Sequence, residues 1–160
     1  MINLNIICIG KLKEQYLRDA SAEYIKRMQT LCKLTVTELS AEKLSENPSQ
    51  KEIEKALEAE GKRIIEKIPK NSAVITMCIE GKQKSSEELS AELENLALSG
   101  VSNAVFIIGG SFGLSEEVKA KSKLRMSMSK MTFPHQLARI MLLEQLYRAA
   151  QISLGTKYHK

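Results

Sequence analysis

Short apolar runs along the chain alternate with longer stretches in which apolar residues return every three or four positions. Leu4, Ile6, Ile7, Cys8 and Ile9 alternate, fuse and stop at Gly10, which predicts a strand closed by a turn glycine. From Glu14 to Leu31, the residues Leu17, Ala20, Tyr24, Met28 and Leu31 mark one face of an amphipathic helix. Lys33 to Leu39 alternates and is rich in β-branched residues, a second strand. Asn47-Pro48-Ser49 opens a helix carried by Ile53, Leu57, Ile64 and Ile68 and closed by Pro69. Ala73 to Ile79 is almost continuously apolar, as in a strand covered by helices on both faces. Ser85 and Glu88 have capping-box spacing ahead of a helix that bears Leu89, Leu93 and Leu96 and ends before Gly100. Ala104 to Ile108 repeats the buried-strand pattern and runs into Gly109-Gly110-Ser111-Phe112-Gly113. Ser115 caps a short helix beginning Glu116-Glu117. Leu124, Met126 and Met128 then alternate with Arg125, Ser127 and Ser129 as a fifth strand. A last helix spans about Pro134 to Ser153, and Leu154 to Lys160 is a tail.

Strands and helices in strict alternation predict an α/β fold with a mostly parallel sheet. With no linker, repeat or low-complexity stretch, residues 1–160 are expected to form one domain. A hydrophobic fraction of 43% is too high for a disordered chain, and charges interrupt each apolar run well short of the ~20 residues of a membrane span. The first residues carry neither a basic segment nor a small-residue cleavage site, so a cytoplasmic protein without a membrane partner is expected. Cys8, Cys32 and Cys78 are odd in number and form no C-x-x-C pair, which excludes a disulfide scaffold and a zinc ribbon.

Charge is distributed unevenly. Residues 121–160 hold eight basic residues (Lys121, Lys123, Arg125, Lys130, Arg139, Arg148, Lys157 and Lys160) against one acid, Glu144. That segment carries +7 and leaves the first 120 residues at −2. A basic segment on a balanced body is the footprint of a polyanion-binding face, although it also serves solubility. The last helix is apolar over a wide arc, through Ile140, Leu143, Leu146, Tyr147, Ala150 and Leu154 with Leu142 and Ala149 beside them. Such an arc fits either a central core helix or a helix shared with a second subunit, and a two-fold homodimer is the reading we prefer.

Ligands of open α/β sheets bind at the carboxyl ends of strands. Three such ends stand out: Met77 to Gly81, Gly109 to Gly113, and Met128 to His135. Gly109-Gly110 allows a ligand close to the main chain, or simply makes a tight turn. Its G-G-x-x-G pattern is neither a dinucleotide fingerprint nor a P-loop. Met128 to His135 sets hydroxyls and a lysine beside Met and Phe, a composition suited to a planar heterocycle. His135 and His159 lack acidic companions in sequence, so no metal is expected. No G-x-S-x-G elbow occurs and no cysteine has a histidine nearby, so a nucleophilic mechanism is not indicated. His135, at a helix start, is expected to be neutral. Tyr158-His159-Lys160 should fray unless something holds it.

Taken together, the segments Ile6 to Lys13, Val74 to Met77, Ile107 to Leu114, Ser129 to His135, Glu144 to Ala149 and Tyr158-His159-Lys160 resemble the RlmH family, the ribosomal large-subunit RNA methyltransferases H of the SPOUT superfamily. The resemblance covers essentially the whole chain, in order. It implies a Rossmann-like sheet whose C-terminal part, within about residues 104–160, is threaded into a deep trefoil knot. It implies a homodimer that binds S-adenosylmethionine and methylates N3 of pseudouridine 1915 in 23S rRNA of the assembled 70S ribosome. Carried over by position, the cofactor contacts fall on Met77, Gly109, Met128, Ser129, Lys130, Met131, Thr132 and Phe133. Met77 stands where many members have Leu, a change that keeps an apolar wall. The candidates for proton handling are Tyr158 and His159, acting in the partner's site, and then His135. Arg125, Arg139 and Arg148 are expected to hold RNA phosphates. Two other readings are a non-catalytic basic RNA- or ribosome-binding module and an α/β enzyme acting on another nucleotide-like molecule.

Overall fold

A computed structural model describes residues 1–160. The elements follow the predicted order: β1 (Asn3–Ile9), α1 (Gln15–Met28), β2 (Leu34–Leu39), α2 (Gln50–Glu66), β3 (Ser72–Gln83), α3 (Ser86–Leu98), β4 (Asn103–Ile108), α4 (Glu116–Ala120), β5 (Leu124–Ser127) and α5 (His135–Ser153). All strand pairs are parallel, and the sheet order is β2-β1-β4-β3-β5. Because β4 enters between β1 and β3, chain order and spatial order part company at the centre of the sheet. Parallel neighbours require crossovers, and the helices that make them cover both faces.

Alternation within the strands divides the core in two. Leu4, Ile6 and Cys8 of β1 face the same way as Ala104, Phe106 and Ile108 of β4, toward a cluster completed by Met28 of α1, Leu89, Leu93 and Leu96 of α3, and Leu142, Leu143 and Leu146 of α5. Ile7, Ile9, Val105 and Ile107 face the opposite layer, with Ile64 of α2 and Val118 of α4. Most of the apolar arc of α5 is therefore covered within one chain, since α5 packs against α1 on one side and α3 on the other, while Leu154 beyond its end stays exposed. The width of that arc does not itself call for a second subunit.

Local chemistry sets the helix starts. The Ser85–Glu88 capping box forms as expected, and a second one, Ser49 with Glu52, starts α2 at the Asn47-Pro48-Ser49 opening expected for it. The larger departure is in β3, which continues to Gln83. It pairs with β5 at Ile75–Met77, loses register, and pairs again at Lys82 and Gln83. Met126 is the partner of both Met77 and Lys82, so residues 78–81 bulge out of the ladder. Gly81 makes this possible: a Cβ there would lie 2.7 Å from the main chain of Arg125 and Met126. No helix is long and apolar enough to cross a membrane.

Leu146 is fully shielded where α5 meets the larger cluster. Leu146→Ala is expected to lower the unfolding free energy by about 2–5 kcal/mol, measured by urea denaturation with an unchanged m-value.

Candidate active site

The carboxyl ends of β3, β4 and β5 open onto a cleft of about 770 Å³. Three segments wall it: the bulge of β3, the glycine loop after β4, and the connection from β5 into α5. Of the residues assigned to a cofactor, Met77, Gly109, Met128, Ser129, Met131, Thr132 and Phe133 all line it, as does His135. Lys130 is exposed and does not line it. Ile79 and Glu80 line it too, within the strand end Met77 to Gly81 that the sequence singled out but without a role assigned to either; Lys119 of α4 lies outside every segment the sequence singled out. The one sequence signal for the bulge is a glycine, Gly81, following Glu80 inside what otherwise reads as the end of a strand.

The connection 128–134 is built to offer its main chain. Ser127 Oγ donates to the Ser129 carbonyl at 2.9 Å, and Met131 N–H donates to Ser129 Oγ at 3.0 Å. Apart from these and the Pro134 carbonyl, which accepts from Ala138 N–H, the peptide groups of this loop have no partner within the chain. Free main-chain donors and acceptors beside Met77, Met128 and Phe133 suit a flat heterocycle with hydrogen-bonding edges. The glycine loop closes on itself, with Gly113 N–H donating to the Gly110 carbonyl at 3.1 Å. A Cβ on Gly109 would collide with the main chain of Gly113. Gly109 is thus required first by the turn, and its bare backbone then becomes part of the cleft wall.

The start of α5 is pinned to the loop after β1. Gln136 Oε1 accepts from Lys13 N–H at 2.9 Å, and Arg139 donates to the Gly10 carbonyl at 2.9 Å and to Glu38 Oε2 at 2.6 Å. Arg139 is 3% exposed, so its guanidinium is a tie between β1, β2 and α5. The expectation that it holds an RNA phosphate gives way to this structural role, because the guanidinium is buried and already engaged by Glu38 and the Gly10 carbonyl. Arg148 is committed as well. It pairs with Glu144 at 2.6 Å, lies 4.8 Å over the Tyr158 ring, and donates toward His159 Nδ1 at 3.3 Å. Arg125 alone of the three is exposed and has no side-chain partner.

The tail is held in place. Tyr158 Oη donates to Glu144 Oε2 at 2.9 Å, and its ring meets that of Tyr147 edge to face at 4.8 Å. His159 Nε2 lies 2.7 Å from Glu87 Oε1 on α3. Since arginine can only donate, Nδ1 accepts from Arg148 and Nε2–H donates to Glu87, which assigns the tautomer. Burial and the Glu144 contact push the Tyr158 hydroxyl above the usual tyrosine range. Neither Tyr158 nor His159 lines the cleft of its own chain.

His135, half-buried at the cleft, is held below the usual histidine range by burial first, and then by the positive charges of Arg139 and Lys13. The neutral ring expected at this helix start is therefore favoured, with desolvation as its main cause. Burial pushes the Cys8 thiol up to about 11, so this cysteine is an inert core residue. No group of three or more His, Cys, Asp or Glu comes together in metal-binding geometry.

The family model described as "Predicted SPOUT methyltransferase" matches residues 2–159. A ribosomal RNA large subunit methyltransferase H from Clostridium acetobutylicum is 51% identical over 159 residues, covering 99% of this chain and all of that relative. One of the same description from Bacillus thuringiensis is 52% identical over the same spans. Among solved structures, a probable methylase family protein from Haemophilus influenzae superposes over 99% of this chain and 71% of its own, with a TM-score of 0.55 and 13% identity, a likeness of fold.

The depressed His135 value makes a pH prediction. Between the unfolded value near 6.5 and the lower folded one, the unfolded chain binds the extra proton, so stability falls as pH drops through that window and is level above it. His135→Asn is expected to remove that part of the slope, and proton NMR of the native protein should show His135 titrating below 6.5.

Proposed function

The chain belongs to the SPOUT methyltransferase family, and from that premise we propose that it transfers the methyl group of S-adenosylmethionine to N3 of pseudouridine 1915 in 23S rRNA of the assembled 70S ribosome. Methylation of large-subunit ribosomal RNA is the activity named for relatives that match it from end to end. The observation that carries the finer reading is the cleft itself, in which Met77, Gly109 and the unpaired main chain of residues 128–133 converge at the carboxyl end of the sheet. The threaded C-terminal segment, the single domain and the homodimer belong to the same proposal.

The residues present fit the cofactor. Met128 and Phe133 would offer apolar contact to a flat ring, the free peptide groups of the loop would pair with its edges, and Gly109 would let it lie close to the main chain. When bound, S-adenosylmethionine supplies an activated methyl on a sulfonium, so the protein's task is placement and exclusion of water. The acceptor N3 must also lose a proton. His135, neutral and at the cleft, can accept it in its own chain. Tyr158 and His159 serve from the substrate side, reaching the partner's cleft in the homodimer. In this arrangement Tyr158 works as a hydrogen-bond donor, because Glu144 and burial oppose its ionisation. Arg125 and the lysines of residues 121–130 offer exposed positive charge for phosphates.

Labelled S-adenosylmethionine supplied with the protein to ribosomes from cells lacking this gene should place label on 23S rRNA at N3 of that one pseudouridine. Cofactor binding without label would redirect the search to another acceptor, and salt-sensitive RNA binding with no cofactor binding would favour the non-catalytic module. Nucleotide or cofactor binding with no dependence on RNA would favour the other α/β enzyme. Removing residues 157–160 is expected to leave cofactor affinity within about twofold by calorimetry while abolishing transfer; normal turnover by the truncated protein would reject a role for the tail.

A further inference from the structure

The cleft contains two full charges, and they face each other. Glu80 on the bulge of β3 and Lys119 on α4 both line it, and Lys119 Nζ donates to Glu80 Oε1 at 2.8 Å. The rest of the wall consists of apolar side chains, hydroxyls, main chain and the His135 ring. Lys119 is 18% exposed and Glu80 56%, with Glu116 standing 3.9 Å from the same ammonium. Glu80 is the open partner and Lys119 already stands between two carboxylates, so the pair can exchange partners when a ligand arrives.

We propose that Glu80 and Lys119 bind the amino-acid end of the cofactor, Lys119 taking its α-carboxylate and Glu80 its α-ammonium, an inference that rests on the cofactor reading above. S-adenosylmethionine joins a heterocycle and ribose to an α-amino acid zwitterion, and its two ends need opposite surroundings. The loop at 128–133 offers apolar side chains and neutral peptide groups to the first. The second needs one cation and one anion a few ångströms apart, and the cleft wall holds one such pair. On binding, a single Lys–Glu contact is replaced by two contacts of the same kind, so no charge is left without a partner. Both groups are fully charged at neutral pH: the Lys119 contact lowers the Glu80 carboxyl, with Arg125 adding to it, and the Glu80 contact raises Lys119. The bulge that carries Glu80 also gains a purpose, since a regular β3 would continue in the ladder with β5 and not reach the opening.

Calorimetry with two ligands tests this. S-adenosylhomocysteine carries the amino-acid end, and methylthioadenosine has the same adenosine and thioether without it. Lys119→Met and Glu80→Gln are each expected to weaken S-adenosylhomocysteine about tenfold or more, the loss of one charge-assisted hydrogen bond, with methylthioadenosine changed by less than about twofold. The double exchange Glu80→Lys with Lys119→Glu restores an ion pair but reverses its direction, and should not restore S-adenosylhomocysteine binding. Equal weakening of both ligands, no weakening of either, or rescue by the double exchange would overturn the proposal and leave the pair as a strut between β3 and α4. If the unaltered protein binds neither ligand, the cofactor reading itself fails.

Discussion

β4 is hydrogen-bonded to β1 on one side and β3 on the other, and its side chains from Ala104 to Ile107 are wholly shielded from solvent. A strand in that position can satisfy its peptide groups only through both neighbours, and its side chains only through helices on both faces. Phe106 anchors the layer of α1, α3 and α5, while Val105 and Ile107 anchor the layer of α2 and α4. Both layers therefore depend on where β4 enters. Its insertion between two strands formed earlier in the chain also creates the crevice at its carboxyl end, where Gly109 emerges.

The cleft is shaped by places where regular structure is interrupted. β3 leaves register with β5 at residues 78–81, the glycine loop folds against itself, and the chain from 128 to 134 leaves most of its peptide groups unpaired. Each interruption is held by a regular neighbour. Gly81 lies against the main chain of β5, Gly113 bonds to Gly110, and the start of α5 is tied to the β1 loop through Gln136 and Arg139. Irregular backbone fixed by a rigid frame can hold a ligand without the entropic cost of ordering it at the moment of binding.

Two clusters of charge have different purposes although both came from one basic segment. Arg139 is sealed in the core by Glu38, and Arg148 is engaged by Glu144, Tyr158 and His159. Their positive charge counts toward the composition but is spent internally, on joining α5 to the sheet and on holding the tail. The exposed charge open to a polyanion is carried instead by Arg125 and neighbouring lysines. Net charge by segment reports the sum and is blind to which guanidiniums already have acids beside them.

Order and type of the elements were readable from apolar spacing, because each strand and helix carries its own period and its own caps: the Ser85–Glu88 box, the run Ala104 to Ile108, and the stripe of Leu142, Leu143 and Leu146. The resemblance assigned Met77, Gly109 and Met128 to Phe133 to a cofactor, and all but Lys130 line one cleft. What the chain alone could not disclose are relations between residues distant in sequence. The pairing of Glu38 with Arg139, of Glu87 with His159 and of Glu80 with Lys119 spans 101, 72 and 39 positions. Periodicity is a local property, whereas partner choice depends on strand order, and strand order places β4 between β1 and β3 for reasons of packing that no single segment contains.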